Sequence, residues 1–195
     1  MNDPATEAVT RHLTQLADAA QRSARELSGV AATIALLVVR TLESGNKLLF
    51  CGNGGSAADA QHLATEYVVR FRRSRRPFAA LALTTDSSLL TAASNDLGFI
   101  HVFARQIEAL GRTGDLLFLH TTSGESANLV EAAATARALG LCTVGMLARG
   151  GGRLRDFVDH AVVVPTDDGA HAQELHLAIG HAICDIVDAR LGGDR

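Results

Sequence analysis

The chain has 195 residues, 47% apolar and 20% charged, with a formal net charge of −3. That is long enough for one domain with a proper core, and the balance excludes a disordered chain and a protein basic enough to coat nucleic acid. The most apolar run, Val30–Val39, is too short to span a bilayer, and no basic segment followed by an apolar core stands at the N-terminus, so neither a membrane span nor a secretory leader is expected.

In chain order, residues 5–27 carry apolar positions at helical spacing (Val9, Leu13, Leu16, Ala20), and residues 29–43 read as a second, more apolar helix ended by Gly45. A helix apolar on most sides ahead of a sheet points to burial against another subunit, with packing onto the chain's own sheet as the alternative. Lys47–Cys51 is a short apolar strand, followed by the loop Gly52–Ser56 and a helix for which Ser56 is the expected N-cap. Pro77–Leu83 is the second strand, and Thr84–Asp86 cap a helix that breaks at Asn95–Gly98. A helix over 99–110, a strand over Asp115–His120, a helix over Ala127–Leu139 and a strand over Cys142–Leu147 follow. After a short helix come a fifth strand, Ala161–Pro165, and a long helix, Ala170–Arg190. Strands alternating with helices imply an α/β three-layer sandwich, a five-stranded parallel sheet flanked by helices and preceded by two N-terminal helices. The expected division is a single domain over 1–195, with helices in 1–44 and the α/β core in 45–195.

In such a sheet, ligands bind at the carboxyl ends of the strands, near the point where strand order reverses. Gly-Asn-Gly-Gly-Ser at 52–56 follows the first strand and can bring bare backbone N–H groups to an anion. Thr121, Thr122, Ser123 and Ser126 follow the third strand and offer hydroxyls at a helix start, a phosphate site without a basic residue. Ordinary helix capping is the competing explanation of that segment. On the helix after the first loop, His62 and Glu66 stand four residues apart on one face. A surface pair is the commoner meaning of that spacing; beside a phosphate cradle, an imidazole and a carboxylate suit proton chemistry on a phosphorylated small molecule. The last helix adds Gln173, Glu174, His176 and His181. Gln173 and His181 would lie about 12 Å apart along it, so spacing alone pairs Gln173 with His176.

The cluster Arg70, Arg72, Arg73, Arg75 and Arg76 reads as a solvated loop or substrate gate rather than a nucleic-acid patch. Cys51, Cys142 and Cys184, odd in number and far apart, read as reduced buried thiols of a cytoplasmic protein. His12, His101 and His160 read as scattered surface or packing histidines.

The string CGNGGSAADAQH with Glu66 four residues beyond the His resembles the phosphoheptose isomerases (sedoheptulose-7-phosphate isomerases) of the sugar-isomerase, or SIS, superfamily. The resemblance continues through LTTDSSLLTAASNDLGF, VFARQIEALGRTGD, TTSGESAN and QELHLAIGH, covering roughly residues 45–190. It implies an isomerase of heptose biosynthesis that converts sedoheptulose 7-phosphate to D-glycero-D-manno-heptose 7-phosphate through an enediol. A non-catalytic sugar phosphate-binding scaffold and an isomerase of another phosphorylated ketose are the alternatives. By position, the resemblance implies Glu66 and His181 as the acid–base pair and His62, Glu66, Gln173 and His181 as ligands of one Zn2+. It implies substrate contacts from Asn53, Gly54, Gly55, Ser56, Glu66, Asn95, Asp96, Thr121, Thr122, Ser123, Ser126 and Gln173. It also implies a homotetramer acting on a small sugar phosphate, with no nucleic-acid or membrane partner. The chain departs from the family pattern at His120, Glu125, Met146–Ala148 and 169–172.

Overall fold

Five strands run parallel in the order β2-β1-β3-β4-β5: β1 Leu48–Gly52, β2 Ala80–Ala82, β3 Leu116–His120, β4 Cys142–Leu147 and β5 His160–Val163. The computed structural model describes residues 3–192, so the ends of the expected domain at 1–2 and 193–195 lie outside the described residues. The helices are α1 Pro4–Glu43, α2 Gly55–Val68, α3 Ser87–Asp96, α4 Ala104–Leu110, α5 Ala127–Ala138 and α6 Gly169–Leu191. Because side chains alternate along a strand, each strand feeds two cores. Leu48, Phe50, Leu116 and Phe118 pack towards α1, α2 and α6. Leu49, Cys51, Leu117 and Leu119 pack with Ile107 of α4 and Leu129 and Ala132 of α5 on the other face. Apolar residues on both faces of every central strand are what a buried parallel sheet requires.

Several boundaries differ from the sequence reading. The two expected N-terminal helices are one, α1, running through Gly29 without a break. A mid-helix glycine costs only about 1 kcal/mol relative to Ala, and the buried stretch from Ile34 to Leu42 fixes the helix on the sheet side. The second strand shrinks from 77–83 to Ala80–Ala82, since it lies at the sheet edge, where only β1 can pair with it. The expected helix over 99–110 divides into a 3₁₀ turn, Phe99–His101, and α4. Ser56 is not the N-cap of α2; Gly54, at φ +57°, holds that place and Ser56 is buried inside the first turn.

The arginine cluster is also mixed in role. Arg75 is buried and forms an ion pair with Asp188 of α6, Nε to Oδ1 at 2.6 Å. Its guanidinium also donates to the backbone oxygens of Glu66 (2.7 Å) and Tyr67 (2.9 Å) near the end of α2. Arg75 therefore braces α2 against α6. Cys51 and Cys184 are buried free thiols whose pKa values burial pushes up, that of Cys184 to about 12, while Cys142 is half-buried. No helix among the described residues is long and apolar enough to cross a membrane.

Candidate active site

The strand order reverses between β1 and β3, so the loops leaving those two strands flank the crevice where open parallel sheets bind ligands. They are Asn53–Gly54 with the start of α2, and Thr121–Ser126. The amides of Asn53 and Asn128 tie them together, Asn53 Nδ2 donating to Asn128 Oδ1 at 3.0 Å and Asn128 Nδ2 donating to Asn53 Oδ1 at 2.9 Å. Asn128 was not among the residues expected from sequence, because a buried Asn inside a helix looks like any other polar position until its partner is known.

In the second loop, Thr121 Oγ1 accepts from the N–H groups of Ser123 (3.3 Å) and Gly124 (3.2 Å), and Ser123 Oγ accepts from Glu125 N (3.2 Å). Ser126 is the N-cap of α5, yet its hydroxyl makes no capping bond, which leaves it and the positive end of a 12-residue helix open to an anion. Glu125 is exposed and turned away, its Oε1 accepting from Arg153 N at 3.0 Å. One basic residue, Arg149, stands in the neighbourhood of Thr122. Arg149 holds φ +50° and donates Nε to Asp167 O at 2.9 Å. Its guanidinium and Thr122 Oγ1 both lie within 4 Å of the position a Cβ on Gly169 would take. A lone arginine in a loop carries no periodic signal that could have singled it out.

His62, Glu66 and His181 converge. His62 Nε2 stands 2.9 Å from His181 Nε2 and 3.2 Å from Glu66 Oε1. The meeting depends on Gly180, where a Cβ would come 2.7 Å from a Leu63 methyl. A bare backbone there lets α6 approach α2, and the neighbours of Leu63 and Gly180 in sequence are His62 and His181. Phe71 stacks on the His181 ring, centroids 5.2 Å apart. Burial and the neighbouring His62 and Arg72 push the His181 pKa down, opposed by Glu66, so this imidazole is neutral and has a lone pair to offer near neutral pH.

Gln173 sits against Gly55, where any Cβ would collide with its amide, and it acts to lower the pKa of the neighbouring Asp59, one turn before His62 on α2. Both Gln173 and His181 therefore reach α2, a turn apart. His176, the partner suggested by spacing, is instead buried and meets Leu147 O through Nε2 at 3.0 Å. Asn95 and Asp96 lie exposed at the end of α3, hydrogen-bonded to each other at 2.7 Å. Asp96 faces a groove with Leu89, Ala93, Leu97 and Arg105 rather than the histidine pair.

Two imidazoles and a carboxylate with their ligand atoms within 4.8 Å of one another fit a divalent metal of the zinc type. The half-exposed setting of His62, Glu66 and His181 suits a site that must also admit a substrate.

Comparison with known proteins shows what the whole chain is similar to. The SIS domain family model matches residues 11–148. A phosphoheptose isomerase of Roseiflexus sp. (strain RS-1) is 47% identical over 194 residues, 98% of each chain. The solved phosphoheptose isomerase of Neisseria gonorrhoeae superposes with a TM-score of 0.90 at 40% identity, over 94% of this chain and 98% of that one. For the solved phosphoheptose isomerase of Francisella tularensis the values are 0.93 and 35%, over 96% and 100%.

Proposed function

Since the chain belongs to the phosphoheptose isomerase family of SIS-domain proteins and is an isomerase, we propose that it converts sedoheptulose 7-phosphate to D-glycero-D-manno-heptose 7-phosphate through an enediol. The observation that carries this reading is His62 of α2 standing between the Glu66 carboxylate of its own helix and His181 of α6. Moving a carbonyl by one carbon requires a base for the carbon-bound proton and a group that manages the proton on oxygen. Glu66 is the base. His181, kept neutral by its surroundings, exchanges the proton on the sugar oxygens, and Phe71 fixes its ring plane.

The phosphate binds at Thr121, Thr122, Ser123 and Ser126, where hydroxyls and the start of α5 face the crevice, with Arg149 adding charge. Asn53 orders the opposing loop through Asn128, and Gly54, Gly55 and Ser56 present backbone to the sugar. His62, Glu66 and His181, with Gln173 alongside, hold Zn2+, which when bound polarises the sugar's carbonyl and hydroxyl oxygens. Asn95 and Asp96 would contact substrate from a neighbouring subunit. That fits a cytoplasmic homotetramer, for which the apolar face of α1, with Val9 60% and Leu13 57% exposed, supplies a surface to cover. Glu125, pointing away from the loop, leaves the phosphate site intact.

The experiment is to incubate zinc-replete protein with a panel of phosphorylated ketoses and follow the products by NMR. Conversion of sedoheptulose 7-phosphate in preference to the rest is expected. Conversion of a different ketose alone would overturn the substrate, and no conversion of any would overturn the reaction.

A further inference from the structure

Beneath the crevice, a second set of metal-capable groups has no role in the reaction just described. Position 120 has the strand parity of Leu116 and Phe118, so its side chain enters the core beneath α2 and α6, opposite Gly52 on β1 and Met146 on β4. There it faces Asp59 of α2 and His176 of α6, and all three residues are buried, the two histidines at 0% exposure.

Four side-chain atoms of this group have no hydrogen-bond partner: Asp59 Oδ2, both ring nitrogens of His120 and His176 Nδ1. Leaving buried polar atoms unpaired costs about 1–3 kcal/mol each, so the pocket needs something that they can share. One ligand atom from each residue lies within 4.8 Å of the others, yet none bonds another. Such spacing suits groups arranged round a common centre. His176 already has the form of a metal-ligating histidine, since its Nε2 meets Leu147 O at 3.0 Å and leaves Nδ1, which has no partner, as the nitrogen free to ligate. Burial pushes the pKa of His120 down to about 3 and that of His176 to about 4, so both rings are neutral and able to donate lone pairs.

We propose that Asp59, His120 and His176 form a second, enclosed site for a divalent zinc-type ion, separate from the half-exposed set of His62, Glu66 and His181. Tetrahedral donors at 2.0–2.1 Å from one ion stand about 3.3 Å apart, so modest ring rotations would close the set. The ion would join β3, α2 and α6 from below, under the turn of α2 that Gln173 touches. A single ordered water is the competing occupant, because it too can meet three polar partners. Being enclosed, the ion should exchange slowly with chelators, unlike one held at the exposed set.

The test is zinc stoichiometry by elemental analysis on full-length protein grown with zinc and desalted, together with anomalous diffraction at the zinc edge. About two ions per chain are expected in the parent protein and about one in His120→Leu, an apolar replacement beside Phe50 and Phe118. His62→Ala/His181→Ala should keep about one ion that survives brief chelation, and adding His120→Leu should remove it. Asp59→Asn, which keeps the side chain's shape, should lower the count in the same way if His120→Leu does not fold. The proposal is overturned if His62→Ala/His181→Ala protein holds no zinc, or if the diffraction shows a water without anomalous signal between Asp59, His120 and His176.

Discussion

Replacing Arg75 by Met tests whether the buried ion pair with Asp188 holds the two helices of the site together. Both side chains are 2% exposed and their contact is 2.6 Å. The substitution strands a buried carboxylate and removes the donor to the backbone oxygens of Glu66, Tyr67 and Arg76. Breaking a buried pair from one side costs about 3–5 kcal/mol. The N–H groups of Arg72 (2.9 Å) and Arg73 (3.1 Å) still donate to Asp188 Oδ2, so the lower end, about 3 kcal/mol, is expected.

The loss should also depend on pH. In the parent protein, burial acts to raise the Asp188 pKa, but Arg75 and the two N–H groups prevail and hold it below the usual value. Its contribution is therefore present above the unfolded value near 3.9 and is lost as pH falls through the depressed folded value. In Arg75→Met the burial effect loses its main opponent and the folded value rises above the unfolded one. That protein regains relative stability as pH falls. Urea unfolding followed by circular dichroism, at one protein concentration and at pH 7 and pH 5, should show a wide gap between parent and variant that narrows at the lower pH. A loss below about 1 kcal/mol at pH 7, or a gap that does not narrow, would refute the reasoning.

Three further outcomes are expected. Gly55→Ala should drive the Gln173 amide off Gly55 and lower activity at least about tenfold, with stability changed by no more than about 1 kcal/mol; activity and stability assays together would show otherwise. Glu125→Asn should change the sugar phosphate KM less than about tenfold, or 1.4 kcal/mol, because the carboxylate is engaged by Arg153 N; tighter binding beyond that would place the carboxylate in the phosphate site. Light scattering should show a tetramer, and a fully active monomer would contradict a site completed between chains.

The succession of strands and helices was legible because apolar runs and glycine-rich turns mark a parallel sheet locally, and the His62–Glu66 pair follows from helical spacing. The boundaries that moved are those set by neighbours, the edge strand β2 and the join within α1. His181 meets His62 only because Gly180 lets two helices approach, a contact about 120 residues apart in sequence that no local pattern encodes. Arg75 illustrates the same limit: five arginines in seven positions look like a solvated run, yet one of them finds Asp188 more than a hundred residues away. Asn128 and Asp59 look like ordinary helix polars until the fold supplies Asn53, His120 and Gln173 as their neighbours.

The central claim is that Glu66 moves a carbon-bound proton of a sugar phosphate, and running the reaction in D2O tests it most directly. With sedoheptulose 7-phosphate as substrate, the parent protein should give an aldose carrying deuterium at C2, read by NMR. Glu66→Gln, nearly isosteric but unable to accept the proton, should bind the substrate and form no aldose. Aldose formation by Glu66→Gln at a rate close to the parent's would remove Glu66 from the mechanism and contradict the account.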